Sequence, residues 1–208
     1  MGLTDHSKSA AYAGGLQDDD IARQHAEIDE VNRSCQDFRV LKGVEADILA
    51  DGTLDYTPAV RASFDFVIAS VHSRFGMDGP EMTARVLKAM DDPHTAILGH
   101  PTGRLLLSRD PYPIDLDRVF AKAAERGVAI EINADPQRLD LDWRAVRDAV
   151  ARGVTMSIGA DAHGVSAMGN MDIGVGIARK AWLTKEQVVN ARPRDGFLEH
   201  VARRRGKR

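Results

Sequence analysis

The chain has 208 residues, of which 43% are apolar, 28% charged and only 5% aromatic; this supports one large core and excludes an aromatic platform for single-stranded nucleic acid. Its one cysteine, Cys35, excludes an internal disulfide and a cysteine-based zinc site, and no apolar run approaches the ~20 residues of a membrane span. The last six residues hold five basic side chains, which leaves residues 1–202 with 23 basic against 31 acidic groups, a net of −8, too acidic for a general DNA binder. The expectation is a soluble cytoplasmic protein with no signal peptide: one domain over 1–202, then a basic tail, 203–208, that reads as a frayed, solvated end.

Short β-branched runs alternate with helical patterns, as in βα units around a parallel sheet. The first strand signal lies near 2–5. Asp18-Asp19-Asp20 then opens a helix through Ile21, Ile28 and Val31. Strands follow near 39–45 and 66–71. Gly79-Pro80-Glu81 starts a helix with Met82, Val86, Leu87 and Met90 on one face. Strands near 96–99, 128–133 and 155–159 alternate with helices over 115–126 and 141–152, and each of those helices ends in Arg-Gly, a basic last turn followed by a helix-stopping glycine. Further helices lie after Met171 and around Thr184 and Asp195. Six strands with intervening helices predict either a (β/α) barrel or an open α/β sheet.

Five of the six strands run into a potential metal ligand: Thr4-Asp5-His6, Gly43-Val44-Glu45, Ala69-Ser70-Val71-His72, Gly99-His100-Pro101 and Gly159-Ala160-Asp161-Ala162-His163. In parallel α/β folds the carboxyl ends of the strands share one face, where sites form. Imidazole and carboxylate together suit zinc, iron or manganese. His25, His94 and His200 read instead as surface residues. Lys8, Arg74, Arg104, Asn133 and Arg138 follow strand ends, where they read as phosphate-binding groups or as ordinary surface polar groups.

These stretches, with Thr102-Gly103-Arg104, Glu131-Ile132-Asn133-Ala134 and Arg138-Leu139-Asp140-Leu141, resemble the motifs of the polymerase and histidinol phosphatase (PHP) superfamily. The form they resemble most is the C-terminal PHP domain of bacterial family X DNA polymerases, which takes part in DNA repair. The resemblance implies a distorted seven-stranded (β/α) barrel with a trinuclear metal centre at the strand ends and phosphoester hydrolysis, including manganese-dependent 3′–5′ exonuclease action. Family members carry a first βα unit with a His-x-His pair, whereas this sequence starts at what resembles the second strand, so six strands are expected.

The ligands implied are His6, Glu45, His72, His100, Asp161 and His163. Glu45, His72 and His100 would form one well-held Mn²⁺, Zn²⁺ or Fe²⁺ site. Glu45 with Asp161, and His6 with His163, would form partial ones, which weakens hydrolysis. Glu45 and Asp161 would position the metals, and Arg104 and Arg138 would neutralise the phosphate. The implied substrates are DNA 3′ ends. The alternatives are a small-molecule phosphatase of the histidinol-phosphate type and a non-catalytic remnant. A barrel lacking a strand would expose edges at 2–5 and 155–159 and could dimerise through them.

Overall fold

The computed structural model describes residues 1–206. Six parallel strands follow one another across a single curled sheet in chain order: β1 (Gly2–His6), β2 (Leu41–Asp47), β3 (Phe66–Ser70), β4 (Thr95–Leu98), β5 (Ala129–Asn133) and β6 (Met156–Gly159). The helices are α1 (Asp18–Ser34), α2 (Pro58–Ala62), α3 (Gly79–Asp91), α4 (Leu116–Arg126), α5 (Trp143–Ala151), α6 (Met171–Lys180) and α7 (Arg194–Gly206). The fold is the expected α/β class, a distorted, open barrel. Among the described residues no helix is long and apolar enough to cross a membrane.

Local chemistry sets the boundaries. Asp78, Asp115 and Asp142 each accept a backbone N–H in the first turn of α3, α4 and α5. Gly127, at φ 72°, ends α4. The strand signal from 39 becomes strand only at Leu41, because the Asn32 amide takes both polar groups of Val40: N–H to Oδ1 at 2.8 Å and Nδ2 to C=O at 2.9 Å. At its other end β2 runs on to Asp47, in register with Ser70 of β3.

Strand alternation sorts the sheet into two faces. Val44, Ala46, Val67, Ala69, Ile130, Ile132, Met156 and Ile158 pack outward in the main core under the helices. The inward columns change character along each strand. Leu41 and Phe66, with Ala129, lie in a second apolar cluster closed by Phe197 and Val201 of α7; farther along come Glu45 and Asp47, Ser70, and Glu131 and Asn133. Phe197 meets Phe66 edge to face at 5.2 Å. One end of the barrel interior is therefore plugged with hydrocarbon, and the other is lined with acids. Gly159 serves that acidic end by having no side chain: a Cβ there would fall 2.0 Å from Glu131 Oε1.

Three expectations need correction. The 155–159 edge is not open, because Asn190 donates to the Ile158 carbonyl at 2.7 Å and accepts its N–H at 3.0 Å, and Val188 bridges Met156. β1 and β6 are the two terminal strands of the sheet, and residues 188–190 cover part of the outer side of β6. Residues 203–206 are not a solvated end but the last turns of α7, and Arg204 is 1% exposed; Lys207 and Arg208 lie outside the described residues. Finally, His25, His94 and His200 are half-buried rather than on the surface. His25 packs edge-on against Phe64 at 4.9 Å, and His94 Nδ1 lies 3.1 Å from Asp92 Oδ1.

Candidate metal centre

The turns leaving β1 to β4 and β6 bring the predicted residues to the acidic end of the barrel. Glu45 is the hub. Its Oε1 lies 2.9 Å from His100 Nε2 and 3.3 Å from His72 Nε2, and those two nitrogens are 3.2 Å apart. Its Oε2 lies 3.3 Å from His6 Nδ1. The imidazole rings of His6 and His72 meet edge-on at 4.9 Å, and those of His72 and His100 at 5.0 Å.

Asp47 orients the cluster. Its Oδ1 accepts from His72 Nδ1 at 2.6 Å. In the neutral ring this puts the lone pair on Nε2, the atom facing Glu45 and His100, a carboxylate–histidine arrangement typical of metal ligands. Ligands bonded to a tetrahedral ion at ~2.05 Å are about 3.3 Å from one another. The Glu45–His72–His100 triangle, with sides of 2.9, 3.2 and 3.3 Å, fits one face of that tetrahedron. A second group that could hold an ion is His6, Glu45 and His72, whose donor atoms lie within 4.8 Å of one another. Glu45 and His72 belong to both groups.

Without an ion, protons balance the charge. Burial pushes the Glu45 carboxyl up, but hydrogen bonds from His100 and His72 outweigh it and hold the group well below the usual carboxylate range. Burial works against a charged His72, yet the bonds to Asp47 and Glu45 raise its pKa from 6.5 to about 9. His6 is lowered by burial, against the pull of Glu45.

A pH dependence follows. Protonated His72 stabilises the metal-free fold fully below about pH 6.5, and that contribution disappears as pH rises through about 9. A metal must displace this proton, so apparent affinity should rise about tenfold per pH unit between roughly pH 6.5 and 9. Calorimetric Mn²⁺ titrations at two pH values and one ionic strength check this; equal affinities would contradict it.

Asp161 is held by two neighbours. Its Oδ2 accepts from Asn133 Nδ2 and Arg138 Nε, each at 3.0 Å. His163 is exposed; its Nδ1 donates to the Asp161 carbonyl at 2.9 Å and its ring stands 5.9 Å from that of His6. Asp161 (φ 49°) and His100 (φ 21°) both hold positive φ, a strain of about 1–3 kcal/mol each that concentrates at sites of function.

The basic groups divide. Arg138 keeps Nη1 buried with no hydrogen-bond partner among the described residues, while its Nε bonds Asp161. Arg104 spends Nε and Nη2 on the carbonyls of Arg138 and Leu139 and so braces that loop. Asn133 is buried and fully engaged: Nδ2 bonds Glu131 and Asp161, and Oδ1 accepts from Asp135. Arg74 is exposed, and Lys8 Nζ lies 5.5 Å from the centre of the Tyr56 ring.

Sequence reasoning missed two acids. Asp47 was legible in principle, since residues two apart on a strand share a face and Glu45 had already been placed inside. Glu131 accepts the His100 N–H at 2.8 Å and the Asn133 amide at 3.2 Å. Burial, with smaller contributions from Glu45 and Asp161, raises its pKa to about 7 against the opposing pull of His100. The signal was its place in the Glu131-Ile132-Asn133-Ala134 stretch, a carboxylate between Ile130 and Ile132.

No protein-family model matches the chain. Among curated proteins it is 43% identical over 192 residues to the DNA polymerase/3′-5′ exonuclease PolX of Bacillus subtilis, across 92% of this chain and 34% of that protein. It is 33% identical over 172 residues to a protein named "probable phosphatase" in Clostridium acetobutylicum, across 78% of this chain and 68% of the relative. A Thermoanaerobacter protein of the same name is 30% identical over 161 residues, 73% of this chain and 63% of the relative. The chain thus spans a third of the polymerase and about two thirds of the two phosphatases.

Proposed function

Because the chain belongs to the PHP family, which it shares with PolX and the probable phosphatases, we propose that it is a metal-dependent phosphoesterase acting at DNA 3′ ends in the cytoplasm. The observation that carries this reading is the Glu45–His72–His100 triangle, with His72 set by Asp47. These three residues would hold the ion. When bound it supplies a water acidic enough to be hydroxide near neutral pH, together with a positive centre for the phosphate oxygens. Mn²⁺, Zn²⁺ and Fe²⁺ all suit this donor set.

The protein groups do the positioning. Glu45 ties His6 to the His72–His100 pair, so losing it disperses three imidazoles at once. Asp161 holds the Arg138 guanidinium, whose positive charge offsets the negative charge that builds on the phosphoryl group. Arg104 fixes the backbone that carries Arg138 and so acts through it. Asp161 is itself bonded to Arg138 and Asn133, and His163 is solvent-exposed, so the residues present would hold one ion more firmly than any other. With one firm ion, hydrolysis would run about two to three orders of magnitude below that of a fully held cluster.

The acidic body, −8 over residues 1–202, favours a second reading, a small-molecule phosphatase of the histidinol-phosphate type. Hydrolysis of a single-stranded oligonucleotide, histidinol phosphate and p-nitrophenyl phosphate in Mn²⁺ and in Zn²⁺ separates the two. The first reading expects release of 3′-terminal nucleotides as the fastest reaction. Faster turnover of histidinol phosphate would establish the second, and no turnover of any substrate would leave a non-catalytic domain.

A further inference from the structure

The two histidines that share Oε1 of Glu45 are oriented in different ways. His72 is held from the far side of its ring, where Nδ1 bonds Asp47 at 2.6 Å. His100 is 1% exposed, and its Nδ1 has no hydrogen-bond partner among the described residues. With no bond at Nδ1 to set the ring, the backbone that carries this imidazole must direct it.

That backbone is a turn over residues 100–103, with His100 at φ 21° and Gly103 at φ 61°. So unusual a shape at His100 persists only where its surroundings over-determine it, and here every main-chain polar group of the turn is taken. The His100 carbonyl accepts the Gly103 N–H at 2.9 Å. Tyr112 donates its hydroxyl to the Pro101 carbonyl at 2.8 Å and its N–H to the Thr102 carbonyl at 3.1 Å. Arg109 donates to the Gly103 carbonyl at 2.9 and 2.6 Å. The N–H groups go to two buried acids. Glu131 Oε2 accepts from His100 at 2.8 Å, and Asp140 Oδ2 accepts from Thr102 at 2.9 Å and from Gly103 at 3.1 Å.

Asp140 is 0% exposed and has no part in the chemistry proposed above. Its own main chain is pinned to the end of β5: the Asn133 N–H donates to its carbonyl at 2.6 Å, and its N–H donates to the Asn133 carbonyl at 3.2 Å. Both acids are thus anchored to β5 and reach across to the turn that leaves β4. A carboxylate is expensive to bury, yet Asp140 spends its bonded oxygen on the turn that presents His100.

We propose that Asp140 is a positioning residue for the metal centre: it fixes His100 Nε2 toward Glu45 by holding the turn 100–103, of which Glu131 holds the first N–H. The inference rests on the metal-centre reading and deepens it. Asp47 acts on His72 through the ring, and Asp140 acts on His100 through the main chain. Removing the Asp140 carboxylate frees two N–H groups, and the relaxed turn carries the imidazole out of its triangle with Glu45 and His72.

The test is Co²⁺ binding by the full chain without substrate, followed by calorimetry and by the visible absorption of the bound ion. Asp140→Ala should lower affinity about 10- to 100-fold and change the absorption in the same sense as His100→Ala. Asp140→Asn keeps an oxygen that can accept both N–H groups, so it should bind within about threefold of the unaltered chain. In a His100→Ala background, where Glu45, His72 and His6 remain, Asp140→Ala should cost less than about twofold, because nothing is left for it to position. Arg204→Ala is the control, since a purely structural loss lowers Tm and leaves affinity alone. If Asp140→Ala does not fold, Asp140→Ser, whose hydroxyl is too short to reach the turn, takes its place. Unchanged affinity in Asp140→Ala, an equal loss with and without His100, or an Asp140→Asn as weak as Asp140→Ala would each overturn the positioning role and leave the centre standing. An unaltered chain that takes up no Co²⁺ would overturn both, and hydrolysis assayed separately judges the phosphoesterase reading.

Discussion

Glu45→Gln should abolish tight metal binding and lower phosphoester hydrolysis by at least about 10³-fold. The substitution keeps size and shape but removes the one charge that faces three imidazoles, with contacts of 2.9 and 3.3 Å on Oε1 and 3.3 Å on Oε2. A neutral amide also presents N–H donors where the histidine nitrogens need an acceptor. The metal-free protein offers a second readout. His72 loses one of the two carboxylates that raise its pKa to about 9, so its NMR-monitored titration should move down while Asp47 keeps the ring in place. Calorimetry and a hydrolysis assay on the variant check the first effect. Retained tight binding would show that the metal sits elsewhere.

Arg204→Ala should destabilise the fold by about 3 kcal/mol, a fall in Tm on the order of 10 °C, and leave metal affinity unchanged. Arg204 is 1% exposed, and its Nη2 donates to the carbonyls of Met90 and Asp92, which leave α3 on the far side of the barrel. Beside it Arg205 donates to the carbonyls of Phe64 and Asp65 at 2.7 and 3.2 Å. Together they clamp α7 over the apolar plug of Phe197 and Val201. Truncation takes this donor from the Met90 carbonyl, leaves the Asp92 carbonyl with only the Thr95 N–H at 3.1 Å, and opens a void where the stem lay. Arg204→Met, which fills that void, should recover part of the loss. Thermal unfolding with matched metal titrations measures both halves; an unchanged Tm would mean that this end of α7 contributes nothing.

The sheet was legible because period-two and helical patterns alternate cleanly, and all six strands lie within about two residues of their expected positions. What moved the boundaries was tertiary: the Asn32 amide occupies Val40, a contact that no local pattern announces. The cluster of His6, Glu45, His72 and His100 was legible for a topological reason, since residues at the carboxyl ends of parallel strands meet whatever their sequence separation. The supporting groups were harder. Arg104 was expected at the phosphate and instead braces two carbonyls; a sequence gives an arginine its charge but not the acceptors it will find. Asp161 carries two partners, Arg138 and Asn133, that its position at a strand end did not announce. The arginines of the last six residues read as solvated because charge runs usually are; α7 buries one of them by supplying carbonyls from residues more than a hundred positions away.

Anomalous diffraction from crystals of the metal-stripped chain reloaded with Mn²⁺ tests the metal centre most directly. One strong peak is predicted within about 2.3 Å of Glu45, His72 and His100, with weaker density at most near His6, Asp161 or His163. A lattice that takes up Mn²⁺ with no peak among those three side chains, or with three peaks of equal strength, would contradict the arrangement described above.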